Sequence, residues 1–302
     1  NVGNTIAMTT TEEYQWWVAR GASSGSNPTG SVNFGQRAFS HQPSGFKGLC
    51  TNELPEPSIL KGTDNFIATP YTGNATDDRS IAVGFQPDLT ILKQREYTKN
   101  WYWYDSIRGA NKQILSNGTN AEAEIAERMQ AFESNGIQIG TSSEINNNNS
   151  TYINYSWKAG ASASNSDGSV TSTVRANASA GFSIVQYDVP SGAGNFTVGH
   201  GLGVAPELIL AKNRDTDSNW DVYSKSIANT HRLKLNSNAT PEDQPAWGDT
   251  SATSSVFTSL GNGAWHGIGN TMINYCFASV NGYSKIGTYE GNDDNDGTFV
   301  YT

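Results

Sequence analysis

Few residues have the type and spacing that catalysis requires. The segment Gly21-Ala-Ser-Ser-Gly25 matches the G-x-S-x-G pattern, in which a serine nucleophile lies on a strained turn between a strand and a helix. The segment is rich in Gly and Ser and precedes no predicted helix, which favours a loop. His200 lies between two glycines, and the other three histidines lack metal-ligand spacing. We therefore expect His200 to lie in a turn and predict no catalytic residue.

One acidic loop has the composition of a calcium site. It places side-chain oxygens at every second residue, at Asp215, Asp217, Asn219 and Asp221. Calcium prefers several oxygen ligands from one flexible loop. The loop is therefore a candidate calcium site, with a solvated turn as the alternative, and no other cofactor is expected.

Aromatic side chains are the third group with recognisable chemistry, because their faces can stack on sugar rings. Trp101 and Tyr104 recur later in the chain at Trp220 and Tyr223, which favours a packing role for them. Aromatic residues without such a counterpart are the better ligand or interface candidates. They are Trp16, Trp17, Tyr102, Trp103 and Trp265.

The composition indicates the elements that must position these residues. Only 16% of the 302 residues are charged, while 11% are aromatic and 31 residues are glycine. Strand-forming residues separated by Gly, Asn, Asp and Ser are typical of short strands joined by tight turns. We predict an all-β fold of tandem, jelly-roll-like β-sandwich domains with one short helix.

Charge and hydropathy exclude several classes of partner. The net charge is -9, and no run of Lys and Arg forms a stripe that could neutralise phosphates, so nucleic-acid binding is not expected. No apolar run reaches the length of a membrane span, and residues 1–20 lack the pattern of a signal peptide. Cys50 and Cys276 are predicted to be buried, unpaired thiols.

An internal repeat of about 120 residues organises the chain. Gly84-Phe-Gln-Pro87 aligns with Gly203-Val-Ala-Pro206 at an offset of 119 residues, and the offset persists at Asn100-Trp101 and its counterpart in the second copy. After one inserted residue, Thr151–Tyr155 aligns with Thr271–Tyr275. Repeats of this kind indicate related structural units.

Domain boundaries follow from the repeat. We predict an N-terminal extension at 1–61, β domain copy 1 at 62–160, a linker at 161–180, copy 2 at 181–281 and the opening strand of a third copy at 282–302. That last strand implies either a chain that continues beyond Thr302 or packing onto copy 2 or a neighbouring subunit.

Individual segments also carry predictions. The apolar runs Asp88–Lys93 and Glu207–Lys212 predict central strands that are buried on both faces. The spacing of Ile125, Met129 and Phe132 predicts a helix over 121–132. Residues 161–180 are small and polar without periodicity, as in a linker.

Nine short segments, taken together and in order, carry a resemblance to one known family. They are Asn33–Arg37, Gly45–Leu49, Thr51–Pro55, Tyr71–Asn74, Gly84–Leu89, Tyr155–Gly160, Gly181–Val185, Val198–Gly203 and Ala278–Ser284. This set resembles duplicated β-rich domains of bacteriophage virion structural proteins, marine ones in particular, which often follow a SPRY-like (concanavalin-like) β-sandwich. The extension at 1–61 would then hold the last strand of such a sandwich.

The resemblance implies a non-enzymatic virion protein on the particle surface, as a tail-fibre, receptor-binding or capsid-decoration component. It implies a homo-oligomer, with a trimer expected, in contact with other virion proteins and with a host cell-surface glycan. A carbohydrate-binding adhesin module is the alternative. A polysaccharide depolymerase is a third possibility, which would require two converging carboxylates.

Overall fold

Nearly all regular structure in the described part of the chain is β-strand, as predicted from the composition. The computed structural model describes residues 57–300 except residues 193, 262–265 and 295. No helix within this part of the chain is long and apolar enough to cross a membrane. Pro57 and the residues after it belong to one compact unit.

Copy 1 contains strands β1 to β9 and one short helix. The bounds are β1 (Phe66–Thr72), β2 (Arg79–Ala82), β3 (Leu89–Gln94), β4 (Tyr102–Asp105), β5 (Gly109–Leu115), β6 (Ala123–Glu124), β7 (Met129–Glu133), β8 (Gly136–Ile139), α1 (Ser143–Asn146) and β9 (Thr151–Trp157). A 3-10 turn at Gly62–Asp64 precedes β1.

The remaining strands form the second half of the described chain. They are β10 (Ser162–Asn165), β11 (Ser172–Asn177), β12 (Phe182–Asp188), β13 (Gly194–Gly199), β14 (Leu208–Asn213), β15 (Asp221–Ser224), β16 (His231–Lys234), β17 (Glu242–Asp243), β18 (Val256–Gly261) and β19 (Thr271–Phe277). A 3-10 turn at Ala178–Ala180 lies between β11 and β12.

The two copies have the same strand order. Copy 1 forms an antiparallel sheet in the order β1-β9-β3-β4-β5-β6, and copy 2 has the order β12-β19-β14-β15-β16-β17. Pairing registers also correspond, since Leu89 faces Trp157 and Leu208 faces Phe277. Each copy has a small second sheet, β2-β8-β7 in copy 1 and β13-β18 in copy 2. Equivalent positions in the sequence repeat therefore occupy equivalent positions in the sheets.

The two large sheets share one apolar core. A single cluster joins side chains from both copies, and further clusters line the opposite face of each large sheet. As predicted, β3 and β14 are buried on both faces. The shared cluster includes Leu89, Ile91, Trp103 and Ile114 of copy 1 and Phe182, Leu210, Trp220, Ile273 and Tyr275 of copy 2.

The helix predicted at 121–132 is wrong. Residues 123–124 form β6, and Met129–Glu133 form β7, which pairs with β8 in a hairpin. Met129 is fully buried, so the apolar spacing reflects burial in a strand. Hydrogen bonds to β8 override the local preference for a helix. The one α-helix within the described residues is the single turn Ser143–Asn146.

The linker predicted at 161–180 is wrong as well. β10 and β11 form a hairpin in this segment and extend the large sheet of copy 2 beyond β12. The turn into β12 ends at Gly181, whose φ of 65° lies in the left-handed region that favours glycine. The opening strand predicted at 282–302 is not formed among the described residues of that segment, which lack named strands.

Candidate functional site

One arrangement of a lysine, a tryptophan and a tyrosine occurs in both copies. In copy 1 it consists of Lys93, Trp101 and Tyr155, and we call it the open site. Lys93 and Tyr155 lie on the adjacent strands β3 and β9, while Trp101 directly precedes β4. The equivalent residues in copy 2 are Lys212, Trp220 and Tyr275, which we call the covered site.

The aromatic pairs of the two sites have nearly identical geometry. The rings of Trp101 and Tyr155 stack with centroids 6.3 Å apart at 25°. Those of Trp220 and Tyr275 stack at 6.2 Å and 24°. The same sheet register therefore produces the same ring pair twice.

Hydrogen bonds hold each tryptophan in the same way. The backbone N–H of Trp101 donates to Oδ1 of Asn117 over 3.0 Å, and that of Trp220 donates to Oδ1 of Asn236 over 2.9 Å. Each of these asparagines also donates from its amide to the residue before the tryptophan. The loop after β5 and the loop after β16 are thus anchored at equivalent points.

The two lysines are also anchored alike. Nζ of Lys93 donates to the carbonyl oxygen of Gln94 over 2.7 Å, and Nζ of Lys212 donates to that of Asn213 over 2.8 Å. Burial lowers the pKa of Lys93, and in the more deeply buried Lys212 it lowers the pKa to about 8.

Solvent exposure distinguishes the sites. The side chain of Trp220 is fully buried, whereas Trp101 is 37% exposed. Trp101 lies in an open groove of about 570 Å³, which Pro70, Gln94, Arg95 and Ile153 line together with the open site. Lys93 and the exposed Arg95 make the groove cationic beside an aromatic face. Such a surface can stack on a planar or C–H-rich group and donate hydrogen bonds to oxygen acceptors.

The covered site shows what such a surface binds. The indole N–H of Trp220 donates to the carbonyl oxygen of Leu115 over 2.7 Å, and Nζ of Lys212 lies 3.3 Å from the carbonyl oxygen of Thr119. The ring of Trp103 lies 5.2 Å from that of Trp220. Copy 1 therefore covers the site with the main chain of its loop after β5 and with one indole ring.

A buried polar network joins the copies beside the covered site. Arg108 and the hydroxyl of Tyr275 both donate to Asp105, the hydroxyl over 2.7 Å. Burial raises the pKa of Tyr275 well above its usual value, so the hydroxyl remains a donor. Because the arginine and aspartate side chains are fully buried, this network fixes how the two large sheets pack.

Glu122 connects this network to copy 2. Arg214 donates to both of its carboxylate oxygens, over 2.9 and 2.8 Å, and Arg108 lies 3.2 Å away. Burial alone would raise the pKa of Glu122, but the two arginines outweigh it and the pKa is lowered. Glu122 is therefore ionised in the folded protein at neutral pH.

A serine, a histidine and an aspartate also meet in copy 2. Oγ of Ser259 lies 2.8 Å from Nδ1 of His266, and Nε2 of His266 lies 3.3 Å from Asp221 without hydrogen-bond geometry. Ser259 is fully buried on β18 and its neighbour Tyr187 also donates to it. Within the part of the chain that the structure describes, this hydroxyl is not exposed to solvent, which is consistent with a role in internal packing. The sequence spacing gave no signal for it.

The two predicted aromatic ligand residues that the structure describes are buried, not exposed as expected. Tyr102 and Trp103 are buried, at 1% and 6% exposure, so neither presents a face to a ligand. Trp103 is instead part of the core that the two copies share. Trp101, for which the repeat favours a packing role, is the exposed ring. Trp16, Trp17 and Trp265, and the segment Gly21–Gly25, lie outside the described residues.

The candidate calcium ligands do not act together. Asp215 accepts from the backbone of Thr271, Asp217 from that of Ala121, and Asn219 from the Asn236 amide. Asp221 is buried in an ion pair with Arg232. Each of the four side chains thus has a protein partner, and calcium binding by this loop stays a prediction. In the described part of the chain, no group of three or more His, Cys, Asp and Glu side chains has metal-binding geometry.

The remaining predicted residues have structural roles. His200 is buried after β13, where Nδ1 accepts the N–H of Leu202 over 3.2 Å and Nε2 lies 3.1 Å from the carbonyl oxygen of Thr253. This is the turn role expected for it. Cys276 is buried and unpaired, and burial raises its pKa to about 12. Cys50 lies outside the described residues.

One known protein family matches a stretch of the chain that includes both copies. The family described as Domain of unknown function (DUF7483) matches residues 61–302. The chain belongs to this family. The match spans both copies as one domain, and this agrees with the apolar core that the two copies share. No curated protein and no solved structure matches the chain.

Proposed function

We propose that this protein is a non-enzymatic structural component of a bacteriophage particle surface and that it functions through protein–protein contacts. The observation that supports this role is the open site. In copy 2, the covered site binds the loop after β5 of copy 1. The open site of copy 1 has the same arrangement of residues, but its surface is exposed. A second site of the same geometry is available for a contact outside the described unit.

The resemblance of the sequence to virion structural proteins supports the location. Proteins in a particle are present in many copies, so a weak contact at each open site would gain strength through effective concentration. The groove is open to solvent and lined by the cations Lys93 and Arg95, and this suits a contact that forms on assembly.

The test is to locate the protein on phage particles that encode it. Antibody labelling or an electron cryomicroscopy map of purified particles should place the chain on the tail or the capsid surface. The Trp101→Ala variant should be depleted from purified particles, while a variant at the exposed Tyr289, which does not line the groove, should be incorporated normally. Absence of the wild-type chain from particles would contradict the proposal.

The exposed ring of Trp101 favours a second candidate, which is carbohydrate binding. A stacked indole beside Lys93 and Arg95 fits a sugar ring that carries a carboxylate or a sulfate. A glycan array or binding to host polysaccharide tests it. Binding that Trp101→Ala abolishes and Tyr289→Ala leaves intact would support this role, and the absence of any glycan binding would exclude it.

A further inference from the structure

The loop after β5, which covers the covered site, has an exposed counterpart in copy 2. Asn117 and Asn236 bind equivalent tryptophans, so residues 115–119 of copy 1 correspond to residues 234–238 of copy 2. Leu235 is 41% exposed, and residues 237–241 are exposed as well. The described residues therefore include one uncovered aromatic site and one loop of the covering type that has no such site beneath it.

We propose that the open site of one chain binds the exposed loop 234–241 of a second copy of the same chain. The inference deepens the proposed structural role, on which it rests, by naming the partner. In this contact the indole N–H of Trp101 donates to the carbonyl oxygen of Lys234 in the second copy. Nζ of Lys93 donates to the carbonyl oxygen of Asn238 there.

The chemistry of the covered site explains why this loop can serve. The donors of Trp220 and Lys212 bind the carbonyl oxygens of Leu115 and Thr119. Main-chain oxygens are present whatever the side chains are, so the corresponding loop of copy 2 offers the same acceptors. Trp101 and Lys93 provide the same donors and the same ring geometry, and the open groove lets these carbonyl oxygens reach them.

The contact between chains differs from the internal one in two places. Pro241 stands at the position of Glu122, so Arg95 cannot repeat the ion pair of Arg214. Val222 stands at the position of Trp103, so the ring that lies against Trp220 has no aromatic equivalent. The contact between chains is therefore weaker than the internal one and depends on concentration.

The contact joins two different surfaces, so it is heterologous. Each chain offers one open site and one exposed loop, and a head-to-tail contact produces a closed ring or an open filament, depending on the rotation between copies. Either product suits a component that is repeated along or around a particle.

Cross-linking between two singly labelled chains tests the proposal. One full-length chain carries Arg95→Cys, at an exposed position that lines the groove and makes no bond in the proposed contact, and the other carries Asn238→Cys. Both are in a Cys50→Ser background that leaves only the buried Cys276. A short bismaleimide should produce a covalent dimer from the mixture, and a chain with both cysteines should produce a ladder of oligomers. The matched control replaces Asn238→Cys by Ser254→Cys, an exposed position outside the loop.

Sedimentation velocity gives the second measurement. Wild-type chains should associate as concentration rises, and Trp101→Ala should weaken the association at least about tenfold. Equal cross-linking in the control pair, or association unchanged by Trp101→Ala, would overturn the proposal. If the chain is found in particles but gives no cross-linked dimer, the proposed contact between copies is wrong and the structural role stands. A chain absent from particles contradicts the structural role.

Discussion

Trp101 and Trp220 have the same hydrogen bonds and the same stacked tyrosine but different surroundings. In the sequence they look interchangeable. Recurrence favours a packing role for both rings, but it cannot indicate which ring the other copy covers. That depends on the packing of two sheets, which involves residues far apart in the chain, such as Leu115 and Trp220. For this reason the sequence predicts a ligand role for Trp103, which lacks an aromatic counterpart, whereas the structure places it in the core between the copies.

The two tryptophans provide a matched pair for a stability measurement. Trp220→Ala removes a fully buried ring and leaves a cavity, so we expect a loss of about 3–5 kcal/mol in the free energy of unfolding. Trp101→Ala removes a partly exposed ring, and we expect a loss of no more than about 1 kcal/mol. Urea unfolding followed by circular dichroism measures both. Equal losses would mean that the covered site is not covered in solution.

Glu122 makes stability depend on pH. Its pKa is lowered in the folded protein from an ordinary value near 4.5, so its contribution is complete above that value and is lost as the pH falls through the folded pKa. Glu122→Gln removes the carboxylate that Arg214 binds through both oxygens, while Arg108 keeps its ion pair with Asp105, and should cost about 2 kcal/mol or more at neutral pH.

The difference between wild type and Glu122→Gln should therefore shrink as the pH falls from about 7 to about 3. Unfolding free energies measured in urea across this range give the comparison. A Glu133→Gln variant, at the end of β7 with a carboxylate bonded to Ser80, is the control. A difference that is constant with pH would contradict the assigned ion pair.

The hairpin of β10 and β11 shows why one element could not be predicted. Its residues are small and polar, and only Ser172 and Val174 of its two strands are buried. The hairpin gains stability because β11 pairs with β12, so it needs little apolar patterning of its own. Residues 161–180 therefore resemble a linker in sequence. Arg175 also binds Asp88 of copy 1 over 2.7 Å, a contact that no local pattern reveals.

Replacement of residues 161–177 by a Gly/Ser sequence of equal length tests the role of the hairpin. A flexible linker would tolerate this change. Because the structure loses two strands, the buried Val174 and the Arg175–Asp88 pair, we expect the free energy of unfolding to fall by several kcal/mol, about 3 or more. Arg175→Ala alone should cost less. Thermal melts that leave the midpoint unchanged would restore the linker prediction.

At the scale of the whole molecule, the two copies share one apolar core. Composition and apolar runs were sufficient to predict the all-β sandwich class and the doubly buried strands β3 and β14. Separate tandem domains were also expected, because a repeat is visible in sequence while the burial of one copy by the other is not. The shared cluster, with Trp103 from one copy against Tyr275 from the other at 5.2 Å, joins them.

Residues 57–302 should therefore unfold as one cooperative unit. We expect a single transition in scanning calorimetry, with equal calorimetric and van't Hoff enthalpies. A fragment that contains only residues 62–160, or only 181–281, exposes half of the shared core and should not give the circular dichroism spectrum of a folded β protein. Two separate transitions, or a folded isolated copy, would show that the copies are independent domains.

The acceptors above Trp220 and Lys212 are main-chain oxygens. Substitutions in the covering loop alter side chains and leave these oxygens in place, as long as the loop keeps its conformation. Selection on the contact then acts on loop length and on the anchoring asparagine and leaves most of the residues between them free to drift. Related chains can therefore retain this interface after their loop sequences have become unrecognisable, and insertions or deletions in the loop would mark its loss better than substitutions.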